Sequence, residues 1–277
     1  MRKPGTLLLL AACLGCRSYH AVESHYNRGV EHQDGGRLAL AIEEYRLALE
    51  QRPDDLKARF NLAVAYHDLG RKDRALEVYR EVLARQPDNA RALVNVAELL
   101  REQGRLDEAR AHLERAEAAE PDQAWPLCAR AVFEEAQGDL GAASASLRRA
   151  LERDPRSAVA HYGLARLLER EGRADEALDH YDEALETDPD DVASLLASAR
   201  LMARRGDGRA AAARLELVAG LVPERADVLR ELAAAREQLG EVERAVQALW
   251  DARALQPEDP AIAEALARLY GRLCAGK

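Results

Sequence analysis

Arg166, Arg170, Arg200 and Arg204 form two (i, i+4) pairs, and the second pair repeats the first at a fixed offset along the chain. On helices each pair shares a face, where two guanidinium groups can hold a carboxylate terminus or an acidic segment through paired hydrogen bonds. Other residues capable of chemistry are sparse. His20, His25 and His32 with Glu23 are of metal-ligating type but loosely spaced, so they read as surface residues and no metal site is expected. Cys13 and Cys16 follow an apolar run from Thr6 to Ala12. Cys128 and Cys274 have no metal or redox spacing and read as buried or half-buried small hydrophobes. There is no Gly-x-Ser-x-Gly, His-Glu-x-x-His or Gly-x-x-x-x-Gly-Lys, so no catalytic residue, cofactor or small-molecule substrate is expected. The net charge of -9, with no long basic run, argues against nucleic-acid binding.

The elements that carry these residues follow from composition and period. Of 277 residues 48% are hydrophobic and 32% charged, with Ala, Leu, Glu and Arg dominant, which implies an all-α chain with a sizeable core. Pro53, Pro87, Pro121, Pro155, Pro189, Pro223 and Pro257 recur at one constant interval, each number exceeding the last by 34. Glycines 36, 70, 104, 138, 172, 206 and 240 hold the same step, as do alanines 41, 75, 109, 143, 177, 211 and 245. The glycine ends a first helix, the alanine lets a second pack closely against it, and the proline stops the second. Asp55, Asn89, Ser157, Asp191 and Asp259 are placed to cap the next first helix, whereas Gln123 and Arg225 are poor caps. The tripeptide Arg205-Gly206-Asp207 is accounted for by its turn glycine, and His161 and His180 read as structural.

This pattern resembles the tetratricopeptide repeat (TPR) family. The resemblance implies an all-α, right-handed superhelix (solenoid) of seven helix-turn-helix repeats, at 22–55, 56–89, 90–123, 124–157, 158–191, 192–225 and 226–259. Residues 260–277 then form a C-terminal capping helix. Repeat six, with Ser198 and Gly208 at positions usually larger and apolar, is the least regular. The family's concave face is lined mainly by residues two, five, nine, twelve and thirteen of each first helix. By that analogy Tyr26, Phe60, Trp125, Tyr162, Arg166, Arg170, Arg200 and Arg204 line a partner-binding groove. Tyr26 and Val30 replace the first two positions of the clamp with which some members hold chaperone tails, so that partner class is not expected. Trp250, on a second helix, is expected to pack near the capping helix or to mark a second surface.

Leu10-Ala11-Ala12-Cys13 resembles the lipobox of bacterial lipoproteins, in which the cysteine becomes the lipidated N-terminus. The expected division is a signal peptide at 1–12 and a tether at 13–21, with Cys13 lipidated and Cys16 the alternative. By that resemblance the chain is an outer-membrane lipoprotein of the bacterial cell envelope facing the periplasm. Type IV pilus pilotins are similar in joining a lipobox to stacked repeats. The implied function is a membrane-anchored scaffold whose groove binds an extended peptide or helix of an envelope protein, assisting assembly of a secretion or pilus complex. The alternatives are a scaffold self-associating through convex surfaces and a soluble secreted repeat protein.

Overall fold

The computed structural model describes residues 25–275, which contain fifteen α-helices and no strand. Helix α1 covers 25–34. It is followed by α2 (Leu38–Gln51), α3 (Leu56–Asp68), α4 (Lys72–Arg85), α5 (Ala90–Glu102) and α6 (Leu106–Ala119). Then come α7 (Trp125–Ala136), α8 (Leu140–Arg153), α9 (Ala158–Arg170), α10 (Ala174–Thr187) and α11 (Val192–Arg204). The last four are α12 (Gly208–Leu221), α13 (Ala226–Gln238), α14 (Val242–Leu255) and α15 (Pro260–Ala275). The chain divides into two compact units after Asp122, the first holding α1–α6 and the second α7–α15. The signal peptide, the tether and the lipidation candidates Cys13 and Cys16 lie outside the described residues. No helix among the described residues is long and apolar enough to cross a membrane.

Local chemistry sets the helix ends. Asp55, Asn89, Ser157 and Asp191 each accept a hydrogen bond from a backbone N–H in the first turn they precede, and Asp259 accepts from Ala261. Arg225 makes no such bond. Asp207 caps α12 through Ala210, so the Arg-Gly-Asp tripeptide is a helix boundary. At the turn after α3, Gly70 has φ of 76°, a conformation costly for any residue with a Cβ. Its N–H donates to the His67 carbonyl and that of Arg71 to the Tyr66 carbonyl, both at 2.8 Å, closing the helix.

The seven periodic alanines are all 0% exposed. Four residues after each lies a large side chain at the same depth: Tyr45, Tyr79, Leu113, Leu147, Tyr181, Leu215 or Leu249. Gly29 of α1 makes room for one of them, since a Cβ there would sit 2.5 Å from the Tyr45 ring. In the second unit one core runs from α11 to α15, where Ile262, Leu266 and Leu269 bury the inner stripe of the last helix. Ser198 is fully buried in α11, and its hydroxyl donates to the Ser194 carbonyl one turn earlier. Cys128 is buried, which pushes its thiol pKa up. Cys274 departs from expectation and is exposed, because it lies one step beyond Leu273 and off the stripe that α15 buries.

His161 of α9 and His180 of α10 meet through their Nδ1 atoms at 2.9 Å. The Pro155 carbonyl lies 3.0 Å from His161 Nε2 and can only accept, so His161 carries its proton on Nε2 and His180 donates from Nδ1. Burial, then the neighbouring His161, lowers the His180 pKa from its ordinary value, against the opposing pull of Glu183, Asp179 and Glu176.

Gly29→Ala overpacks the Tyr45 ring and is expected to lower unfolding free energy by about 1–3 kcal/mol. Gly220→Ala, in α12 with nothing within 4 Å, is expected to raise it by about 0.5–1 kcal/mol; chemical denaturation checks both. Unfolded His180 binds its proton more readily than folded His180, so its contribution to stability is held above about pH 6.5 and lost as pH falls through the depressed folded value. Thermal melts across that window are expected to show a shallower acid loss in His180→Gln than in the parent.

Candidate functional site

The first-helix face of each unit carries the residues singled out by spacing, and the repeat register sets their neighbours. Tyr26, Phe60 and Tyr162 are each half-buried against a tyrosine ring of the second helix in their own repeat. Their centroid distances to Tyr45, Tyr79 and Tyr181 are 6.0, 5.7 and 5.9 Å. The buried partner holds the outer, half-buried ring in place. Asn61 donates to the Tyr26 hydroxyl at 3.2 Å. The Arg166 guanidinium lies 5.8 Å from the Tyr162 ring centroid.

A second register rule governs charge within the second unit. The twelfth residue of one first helix meets the ninth and thirteenth residues of the next. Glu135 receives Arg166 and Arg170, each at 3.0 Å. Glu169 receives Arg204 and also accepts from the Tyr181 hydroxyl at 3.0 Å. Glu237 receives Arg268 and Arg272, each at 2.8 Å, and these bonds hold its carboxyl below the usual carboxylate range against the opposing effect of burial. Arg200 pairs instead with Glu231 through two hydrogen bonds of 2.9 and 2.7 Å. All four arginines expected to bind an acidic partner are therefore already ion-paired. Their side chains nonetheless remain 44–56% exposed, and exposed pairs are worth only about 0–1 kcal/mol each, so an incoming carboxylate can share or displace the intramolecular one.

Trp125 opens α7 and is half-buried. Val159, at the same position of the next first helix, is 66% exposed. Val132, the ninth residue of its repeat counted from Ala124, is 64% exposed; sequence reasoning passed over it, although its register matches that of Arg166 and Arg200. Sequence reasoning also missed a cleft of about 360 Å³ between α13 and α15, bounded by Asp227, Arg230, Glu231, Glu237 and Arg268. Trp250 is partly exposed, donates from Nε1 to the Tyr270 hydroxyl at 2.8 Å, and so ties α14 to α15.

Among the described residues, His25 and His32 belong to no group of metal-ligating side chains. His20 and Glu23 lie outside the described residues, and His25 is bound to Glu44 at 2.6 Å. Burial pushes the Glu44 carboxyl up, but hydrogen bonds from His25 and Arg28 outweigh it and leave the carboxyl below the usual range. One group of metal-ligating types does converge among the described residues: His67, Glu98 and Glu102.

The sequence profile of the tetratricopeptide repeat family matches residues 26–87, 68–124 and 128–192. A comparison with curated proteins finds no match. Among solved structures, a thermophilic TPR protein of Thermus thermophilus is 28% identical, with a TM-score of 0.58 over 66% of this chain and 100% of its own. PilW, described as a widely conserved type IV pilus biogenesis factor, is 19% identical, with a TM-score of 0.62 over 77% of this chain and 99% of its own. Pseudomonas aeruginosa PilF is 24% identical, with a TM-score of 0.57 over 80% of this chain and 99% of its own. With the profile matching more than half its length and the paired helices repeating at a constant interval, this chain belongs to the tetratricopeptide repeat family, a scaffold for protein–protein interaction.

Proposed function

We propose that the chain is a membrane-anchored adaptor that binds an extended peptide or helix of an envelope protein through the first-helix face of its second unit. The observation that carries this reading is the arrangement on α7, α9 and α11. Half-buried Trp125 and Tyr162 and exposed Val132 and Val159 stand beside Arg166, Arg170, Arg200 and Arg204, whose ion pairs are solvent-accessible. Apolar anchors with exchangeable charges suit an amphipathic segment carrying acidic residues. Tyr26 and Phe60 of the first unit offer the same kind of aromatic contact. The lipobox-like Leu10-Ala11-Ala12-Cys13 supports lipidation at Cys13, with Cys16 the alternative, and hence an outer-membrane location facing the periplasm. The fold shared with PilW supports a role in assembling a type IV pilus or secretion complex.

A second reading, self-association through second helices, draws on the exposure of Trp250, Leu217, Leu221 and Leu255 on α12 and α14. Light scattering separates the two, since only self-association makes particle size grow with concentration.

The adaptor reading is tested by in-cell crosslinking and mass spectrometry of wild type and a folded Trp125→Ala, Arg166→Ala, Arg200→Ala variant. Wild type is expected to capture one envelope protein that the variant loses. A single hot spot worth about 2 kcal/mol corresponds to roughly 30-fold in affinity, measurable with the captured segment. Capture of the same neighbours by both proteins rejects the face as the binding surface. Cys13→Ala is expected to abolish incorporation of labelled palmitate, and retention of label in Cys13→Ala with loss in Cys16→Ala would assign Cys16.

A further inference from the structure

The register that places Glu135 between two arginines places His67 between two glutamates. His67 is the twelfth residue of its first helix, and Glu98 and Glu102 are the ninth and thirteenth of the next. One ligand atom from each of the three lies within 4.8 Å of the other two. At the equivalent sites one acid meets two guanidinium groups of opposite charge. Here an imidazole meets two carboxylates. Lys72 reaches Glu102 at 3.1 Å, and Glu98 has no ion pair among the described residues.

A second observation belongs to the same repeat register. Tyr79 stands twelve positions after His67 and is 0% exposed. Across the same step Tyr45 donates to Gln33 at 2.9 Å and Tyr181 donates to Glu169 at 3.0 Å. The Tyr79 hydroxyl, in contrast, is buried without a hydrogen-bond partner. Buried polar groups are rarely left so. Burial, and after it Asp68 and Glu98, pushes the Tyr79 pKa upward, and Glu98 is a carboxylate of the cluster.

We propose that His67, Glu98 and Glu102 form a binding site for a divalent first-row transition-metal cation, Zn²⁺ being the reference ion. One imidazole nitrogen with two carboxylate oxygens suits zinc, cobalt or manganese better than calcium or magnesium, which favour oxygen donors throughout. Zinc bonds of about 2.0–2.1 Å in a tetrahedron put ligand atoms about 3.3 Å apart, so the three side chains need to close by only about an ångström or two. Glu98 and Glu102 share one face of α5 at (i, i+4), and both glutamates are long and partly exposed enough to make that adjustment. His67 lies in the last turn of α3 and Glu102 ends α5, so the carbonyl ends of two helices add to the attraction for a cation. Glu102 also borders an open cleft with Lys72, which gives an ion a route in.

The test uses the full-length chain carrying Cys13→Ser and Cys16→Ser, which removes a competing thiolate pair, tag-free and stripped of metal, titrated with Co²⁺ followed by visible absorption and with Zn²⁺ by calorimetry. One saturable site of about micromolar affinity is expected, with calcium and magnesium failing to compete at a hundredfold excess. His67→Ala and Glu98→Gln are each expected to weaken binding at least about tenfold. Tyr79→Phe is expected to weaken it less, and Lys72→Met, which removes the competing ammonium, to strengthen it. His180→Gln, which alters the other histidine cluster, is expected to leave it unchanged. Circular dichroism melts establish that each variant folds, and Glu98→Gln, at an exposed position, carries the test if His67→Ala does not. Absence of saturable binding at millimolar Zn²⁺, unchanged affinity in a folded ligand variant, or equal binding of calcium overturns the proposal.

Discussion

Everything in this chain depends on two antiparallel helices approaching closely enough to exclude solvent between them. Seven alanines at one phase of the repeat are completely buried, and each is followed one turn later by a tyrosine or leucine of comparable burial. A larger side chain at the alanine would push the pair apart and leave the turn-later ring or isobutyl group without contacts on one side. Gly29 shows the same constraint at its limit, because the Tyr45 ring occupies the space a methyl group would need. The glycine turn and the post-helix proline matter because they return the chain to this contact once in every repeat.

Once the pairs stack, the repeat length becomes a rule about charge. Within a unit a twelfth-position side chain approaches the ninth or the thirteenth of the following first helix, as at Glu135, Glu169 and Glu237. Where the twelfth is Glu135 or Glu237 and its neighbours are arginines, the rule produces forked ion pairs at the surface. Each is weak in stability terms, since water already solvates the separated groups. Repeated on the first-helix face, they leave a surface of exchangeable charge beside aromatic rings. Where the residues are His67, Glu98 and Glu102, the same geometry gathers ligand atoms instead of neutralising charge.

Much of this was legible in the sequence, because the information was periodic and local. The constant repeat step, the turn glycines, the small packing residues and caps such as Asp55 and Ser157 act through the backbone of their own helix or the adjacent turn. The repeat phase placed Tyr26, Phe60, Tyr162 and the arginines on first helices, and the family resemblance supplied the face they line. Cys274 was misjudged because its burial depends on which stripe of α15 meets the core, a matter of one helical step.

The sequence by itself determined the elements: all-α, paired helices, their lengths and ends, and the positions that face inward, since each of these is set within about one repeat by propensity, capping and hydrophobic period. Only tertiary structure decided the partners across repeats. That Arg166 and Arg170 share one glutamate, that the two histidines of repeat five meet through Nδ1, and that Tyr79 lacks the acceptor its counterparts have, all depend on side-chain geometry between separate helices. Spacing brings such residues to one face. The distance and direction of approach, on which hydrogen bonding and metal ligation depend, come from the packing angle of one helix on the next.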